Sequence, residues 1–127
     1  MSKKPPLQNQ GFKWWEHVTE IWAVATNIYI EGTFPNGVQY DMASAIQLMH
    51  NMMVAYAKAV IAYKEAGYEG KVGIVHSLES KYPYDETKDE DVKAAKNEDV
   101  LNNQFLLDAT FLGKYRDETM EIINRLV

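Results

Sequence analysis

The sequence predicts a single, mainly α-helical domain with one short strand region. Three observations support that. Apolar residues recur at steps of three and four through most of the chain, the period of a helix with one buried face. Only Lys71 to Leu78 reads as a short β-branched run bounded by turn residues. The 127 residues are 46% hydrophobic and 24% charged, enough apolar surface for one core and one domain and too much for a disordered chain.

Residues 1–11 are polar and carry Pro5-Pro6 and Gly11, so they are expected to be a disordered lead-in to a domain spanning 12–127. From Phe12, the residues Trp15, Val18, Trp22, Ala25 and Tyr29 share one helical face, which predicts a helix over 12–30. Trp14 falls off that face, where it would suit an interface. Residues 21–28 are also rich in β-branched and aromatic side chains, and an α/β alternative pairs them as a strand with 71–78.

Gly32 to Gly37 is a loop by its Gly, Pro and Asn content. Asp41 is placed to cap a long helix reaching about Ala66. Its expected stripe is Ala45, Leu48, Met52, Ala55, Ala59 and Ala62, and Gly67 supplies the stop. Strand 71–78 follows, then a loop over 80–88. A third helix opens at Asp89 or Glu90, buries Val92, Ala95, Leu101, Phe105, Leu106 and Ala109, and ends at Gly113. Asp117 is expected to cap a last helix whose face is Met120, Ile123 and Leu126. A lone strand leaves N–H and C=O groups unpaired along both edges, so 71–78 needs either residues 21–28 or another chain beside it.

Composition excludes several function classes. No apolar run approaches the ~20 residues that span a bilayer, and Met1-Ser2-Lys3-Lys4-Pro5-Pro6 lacks the apolar stretch expected of a signal peptide. The absence of cysteine removes disulfides and thiolate metal sites and fits a cytoplasmic setting. A net charge of −5 argues against nucleic acid as a partner. His17-x-x-Glu20 lacks the second copy that a carboxylate-bundle metal site uses, and reads as an exposed pair. The acidic run Asp85 to Asp91 lacks the spacing of a calcium loop and suits a helix N-terminus. Met42, Met49, Met52 and Met53 read as core. No metal or cofactor is expected.

Several blocks, in order, resemble one enzyme family. They are Gly32-Thr33-Phe34-Pro35-Asn36-Gly37-Val38-Gln39-Tyr40-Asp41, His50-Asn51-Met52-Met53-Val54-Ala55-Tyr56, Gly70-Lys71-Val72-Gly73-Ile74-Val75-His76 and Lys81-Tyr82-Pro83-Tyr84-Asp85. Asp91-Val92-Lys93-Ala94-Ala95, Asn102 to Gly113 and Asp117-Glu118-Thr119-Met120-Glu121 continue the series. From about residue 32 to 127 the chain is similar to the 6-phospho-β-galactosidases of glycoside hydrolase family 1. That resemblance implies part of a (β/α)₈ barrel, about one quarter to one half of it: the helix after the fourth strand, the fifth strand at 71–78, and the helical stretch beyond. With 21–28 as a strand, the alternative is a half-barrel-like α/β arrangement.

The family carries its acid/base glutamate in an Asn-Glu-Pro or Asn-Glu-Ile motif at the end of the fourth strand. With Glu20 to Asn27 read as the approach to that motif, no Asn-Glu pair follows; the one pair of that kind, Asn97-Glu98, lies in the third helix. The nucleophile and the phosphate-binding residues belong to a later part of the barrel than the resemblance covers. The expectation is therefore an inactive relic or derivative that works as a structural or protein-interaction module, with residual phospho-glycoside binding or hydrolysis as the alternative. No residue is assigned a catalytic role. Asn27, Glu31 and His76 are the candidates for ligand contact: Glu31 is the carboxylate nearest the lost motif, and His76 is a lone histidine in a matching block, as is His50. Unpaired strand edges and apolar residues on more than one stripe of helix 42–66 predict a homodimer or a protein partner.

Overall fold

A computed structural model describes residues 14–35 and 37–127. The expected lead-in at 1–11 lies outside the described residues, as do the side chains of Trp14 to Thr19 and hence the face assigned to the tryptophans at 14 and 15. Strand β1 (Trp14–Thr19) is followed by α1 (Ile21–Tyr29), α2 (Met42–Glu65) and strand β2 (Lys71–Val75). Helix α3 (Asp89–Asp99) then runs without a break through a π-helical turn at Val100–Gln104, a short α4 (Phe105–Leu107) and a second π-helical turn at Asp108–Leu112. Helix α5 (Asp117–Asn124) closes the described chain.

The architecture is mainly helical, as the sequence predicts, and Lys71–Val75 is a strand where one was expected, three residues shorter at its C-terminal end. Its partner differs from the expectation. Residues 21–28 are helical, and Trp14–Thr19 pairs with β2 in parallel, with Trp14 opposite Lys71, Trp15 opposite Val72, Glu16 opposite Gly73 and Thr19 opposite Val75. The helix expected over 12–30 is thus split in two. The period-3.6 pattern is real over 21–29, but upstream of it the β-rich segment gains a ladder of hydrogen bonds with β2 that no local pattern reveals. The register slips between Glu16 and Thr19, a local irregularity just before the strand ends. The expected helical pairing of His17 with Glu20 goes with it, since His17 lies in β1.

Glu20 makes the turn from strand to helix. Its φ of 53° is left-handed, its N–H donates to the Val75 carbonyl at 3.3 Å, and its own carbonyl accepts from Val24 N–H at 3.0 Å. Helix α2 opens as expected, with Asp41 Oδ1 accepting from Ser44 N–H at 3.0 Å. It ends at Gly67, whose φ of 68° is the left-handed stop.

The buried face of α2 is rotated from the expected stripe. Ala45, Ile46, Met49 and Met53 are buried, whereas Ala55 and Ala62 face solvent. The physical reason is area: an Ile or Met side chain removes far more apolar surface from water than an alanine, so the bulky residues settle which neighbouring stripe turns inward. They meet Ile21 and Ala25 of α1, Leu101, Phe105 and Leu106 of the bulged helix, and Ile123 of α5 in one core. In the third helix, Val92 stays exposed because the apolar contact begins only at Val100. In α5, the buried residues are Thr119, Ile122 and Ile123.

Asp117 is the first residue of α5 and not its cap. Arg116 precedes the helix, and the cap comes from afar: Asp108 Oδ2 accepts from Arg116 N–H at 3.2 Å and from Thr119 Oγ1 at 2.7 Å.

Candidate functional site

Two parallel strands bring their C-terminal ends together, the edge at which barrel enzymes build their sites. β1 ends at Thr19 and β2 at Val75, so the residues that leave the sheet side by side are Glu20 and His76. The backbone of Glu20 is fixed to Val75 by the 3.3 Å hydrogen bond, and its side chain is exposed. A non-glycine residue held at positive φ stores on the order of 1–3 kcal/mol of strain, and such strain gathers at functional positions.

His76 is half-buried. Its Nε2 lies 2.7 Å from Thr110 Oγ1 in the second π-helical turn, and burial pushes its pKa below the ordinary 6.5. π-Turns let a helix change face without ending, and here they aim Asn103 as well as Thr110 at the segment leaving β2. Asn103 accepts from Glu79 N–H at 3.2 Å and donates to the Glu79 carbonyl at 2.7 Å, a two-point clamp on the backbone. Asn103 Nδ2 also reaches Asp99 Oδ1 at 2.6 Å. Outside this clamp, Lys81 Nζ meets Glu79 Oε2 at 2.7 Å, and that hydrogen bond holds the Glu79 carboxyl below its usual range.

The other two candidates from the sequence do not sit at a strand end. Asn27 lies in the last turn of α1, where both ends of its amide are engaged: Nδ2 donates to the Ala23 carbonyl at 2.8 Å and Oδ1 accepts from Thr33 Oγ1 at 2.6 Å. Glu31 follows the helix; its N–H donates to the Thr26 carbonyl at 2.9 Å and its carbonyl accepts from Gln39 Nε2 at 3.1 Å. Both residues shape the loop between α1 and α2. Of the three candidates, only His76 leaves a strand directly. His50 has a partner elsewhere, its Nδ1 lying 2.9 Å from Tyr115 Oη.

Glu20 was not among the candidates. The signal was present: Thr19-Glu20-Ile21 keeps two of the three residues of an Asn-Glu-Ile motif. A helical period that runs through 12–30 masks it, because the strand end at Thr19 is set by pairing with β2 and not by the local pattern.

Away from the strand ends, a groove of about 420 Å³ runs between α2 and the turn after the bulged helix, lined by residues that include Met53, Ala57, Val60, Ile61, Thr110 and Tyr115. Among the described residues, no three His, Cys, Asp or Glu side chains are grouped to hold a metal ion, and no helix is long and apolar enough to cross a membrane.

Comparison with known proteins agrees with a pair of adjacent barrel units. The chain is 51% identical over 114 residues to the 6-phospho-beta-galactosidase of Staphylococcus haemolyticus (strain JCSC1435), a match covering 90% of this chain and 24% of that protein. Its structure is similar to a psychrophilic beta-glucosidase from Micrococcus antarcticus, with a TM-score of 0.81 and 26% identity over 91% of this chain and 24% of the other. The family 1 beta-glucosidase of Exiguobacterium antarcticum B7 gives a TM-score of 0.81 and 28% identity over 94% of this chain and 26% of that one. The chain therefore spans about a quarter of the length of these relatives. The family model described as glycosyl hydrolase family 1 matches residues 8–126, nearly the whole sequence, and the chain belongs to that family.

Proposed function

We propose that this chain provides the acid/base side of a phospho-β-glycosidase site, with Glu20 as the proton donor, and that these 127 residues by themselves do not turn over substrate. The observation that carries the reading is the position of Glu20, immediately after a parallel strand, in the sequence Thr-Glu-Ile where the family motif reads Asn-Glu-Ile. On this reading the acid/base position is occupied, with Thr19 in place of asparagine. Retaining hydrolysis needs two carboxyl groups ~5–5.5 Å apart across the scissile bond. A barrel site is assembled from the ends of eight strands, and two adjacent strands offer one wall. The substrate class follows the relative that is 51% identical, a 6-phospho-beta-galactosidase.

Two experiments test the two halves. The purified chain, given a nitrophenyl β-galactoside 6-phosphate, is expected to release no nitrophenol. Turnover that disappears in Glu20→Gln would establish residual hydrolysis instead. In a chimera, residues 14–35 of this chain replace the matching segment of the Staphylococcus haemolyticus enzyme. Loss of a general acid there should lower the rate about 10²–10⁴-fold in Glu20→Gln. A chimera equally active with Gln would remove Glu20 from the role.

On its own, the chain then acts as an interaction module, and self-association is the form we propose. A parallel sheet is stable when flanked and covered, yet among the described residues β1 and β2 make a sheet of two strands. The groove beside α2 is edged by Val54 and Ile61, which are 39% and 55% exposed. A two-fold dimer is the commonest way to cover such surface. Light scattering at micromolar concentration is expected to give the mass of two copies, reverting to one in Ile61→Lys; a constant single-copy mass would exclude the dimer.

A further inference from the structure

The hydrogen bond between His76 and Thr110 fixes the histidine's tautomer. Thr110 Oγ1 donates its one proton to the Leu106 carbonyl at 2.8 Å. It can therefore only accept at its 2.7 Å contact with His76, so Nε2 carries the ring proton. The other ring nitrogen, Nδ1, is buried, and no hydrogen-bond partner reaches it among the described residues. As a bare acceptor it is tolerable there. As an N–H, which it becomes in the imidazolium, it would be a buried donor without an acceptor, a costlier state.

We propose that His76 is a positioning residue: in its neutral Nε2–H form it ties the end of β2 to the bulged helix, holds the Val75 carbonyl, and through that carbonyl fixes the left-handed backbone of Glu20. The chain of contacts is continuous. Leu106 holds Thr110, Thr110 holds His76, His76 follows Val75 in sequence, and Val75 accepts from Glu20 N–H. Protonation keeps the Nε2–H donor but adds an N–H at the buried, partnerless Nδ1, and the ring must turn out to hydrate it, which breaks the chain.

Among the described residues, the ionisable groups on the surrounding elements do not offer the imidazolium a counter-charge; the side chains of Glu16 and His17 on the neighbouring β1 lie outside the described residues. Asp108 on the bulged helix is engaged by Arg116 and Thr119. Glu79, three residues on, is paired with Lys81. On α2, His50 bonds Tyr115, and Lys114 shares the groove with Thr110. Glu20 itself meets β2 through its backbone. Burial, the sole cause acting on the ring, favours the neutral form.

That the held residue is a proton donor rests on the proposed function; the linkage itself does not. The test is a pH titration of the 127-residue chain by NMR, following the His76 ring nitrogens and the Glu20 amide together. The ring is expected as the Nε2–H tautomer with a midpoint below 6.5. The Glu20 amide should shift with the same midpoint and lose its exchange protection on the acid side. His76→Gln, whose amide N–H can still donate to Thr110, should keep Glu20 protected and abolish its titration at that midpoint. His76→Ala should lose the protection at every pH; if that variant does not fold, the wild-type and Gln titrations decide. An Nδ1–H tautomer, or a Glu20 amide blind to the His76 midpoint, would overturn the linkage. Failure of the Glu20 chimera alone would leave it standing and remove only the catalytic reading.

Discussion

Arg116 Nε donates to Asp108 Oδ1 at 2.7 Å, a contact between residues eight apart in sequence that closes the turn between the bulged helix and α5. Asp108 is 3% exposed, and its carboxylate accepts two more hydrogen bonds, from Arg116 N–H and from Thr119 Oγ1. Arg116 Nη2 continues to Gln104 Oε1 at 2.6 Å. One side chain thus joins both π-turns to the start of the last helix.

Replacing Asp108 with alanine leaves a buried hydroxyl and a helix-opening N–H without a partner. Each orphaned group costs about 1–3 kcal/mol, and the half-exposed guanidinium adds little. Urea unfolding of Asp108→Ala should show a loss of about 2–4 kcal/mol, with a smaller loss for Arg116→Ala.

The same site gives stability an acid limb. Burial pushes the Asp108 carboxyl up, but the hydrogen bonds from Thr119 and from the Arg116 backbone and guanidinium together outweigh it and hold its pKa below 3.8. The contribution is complete above the unfolded value and is lost as pH falls through the lower folded one. For His76 the folded pKa is again depressed, from 6.5. Its contribution is complete above 6.5 and declines as pH falls below that toward the folded value. Thermal unfolding against pH should show two steps, one below 6.5 that His76→Gln removes and one below 3.8 that Asp108→Asn flattens.

Glu20 sits at φ 53° without being glycine. A left-handed conformation costs an L-residue roughly 1–2 kcal/mol, part of which glycine recovers against its greater freedom when unfolded. Glu20→Gly should raise the unfolding free energy by about 0.5–1 kcal/mol, while Glu20→Ala should not, and both should be inactive in the chimera. A glycine variant less stable than wild type would show that the backbone is not strained there.

The rotated face of α2 is tested by two deletions. Met49 is fully buried and Leu48 only partly so. Met49→Ala should cost about 2–5 kcal/mol, and Leu48→Ala clearly less, measured by denaturant midpoints. Equal losses would favour the alanine stripe that the sequence suggests.

Local chemistry determined much of this molecule. The cap at Asp41, the stops at Gly67 and Gly113, the β-branched run at Lys71–Val75 and the helical periods of 42–65 and 89–112 are each short-range effects, and each is legible from a few neighbouring residues. The family blocks from Gly32 onward were legible for the same reason, being contiguous. What lay beyond the sequence was whatever depends on residues far apart along the chain. Residues 14–19 satisfy a helical period yet form a strand, because β2, more than fifty residues later, offers them a ladder. That pairing put the end of the strand at Thr19, and so Glu20, where a helix had been expected. The cap of α5 comes from Asp108, and the partner of His76 from Thr110, across turns that a sequence pattern does not close. Which stripe of α2 turns inward was decided by the helices packed against it, since two neighbouring stripes were both apolar and only the area they could bury told them apart.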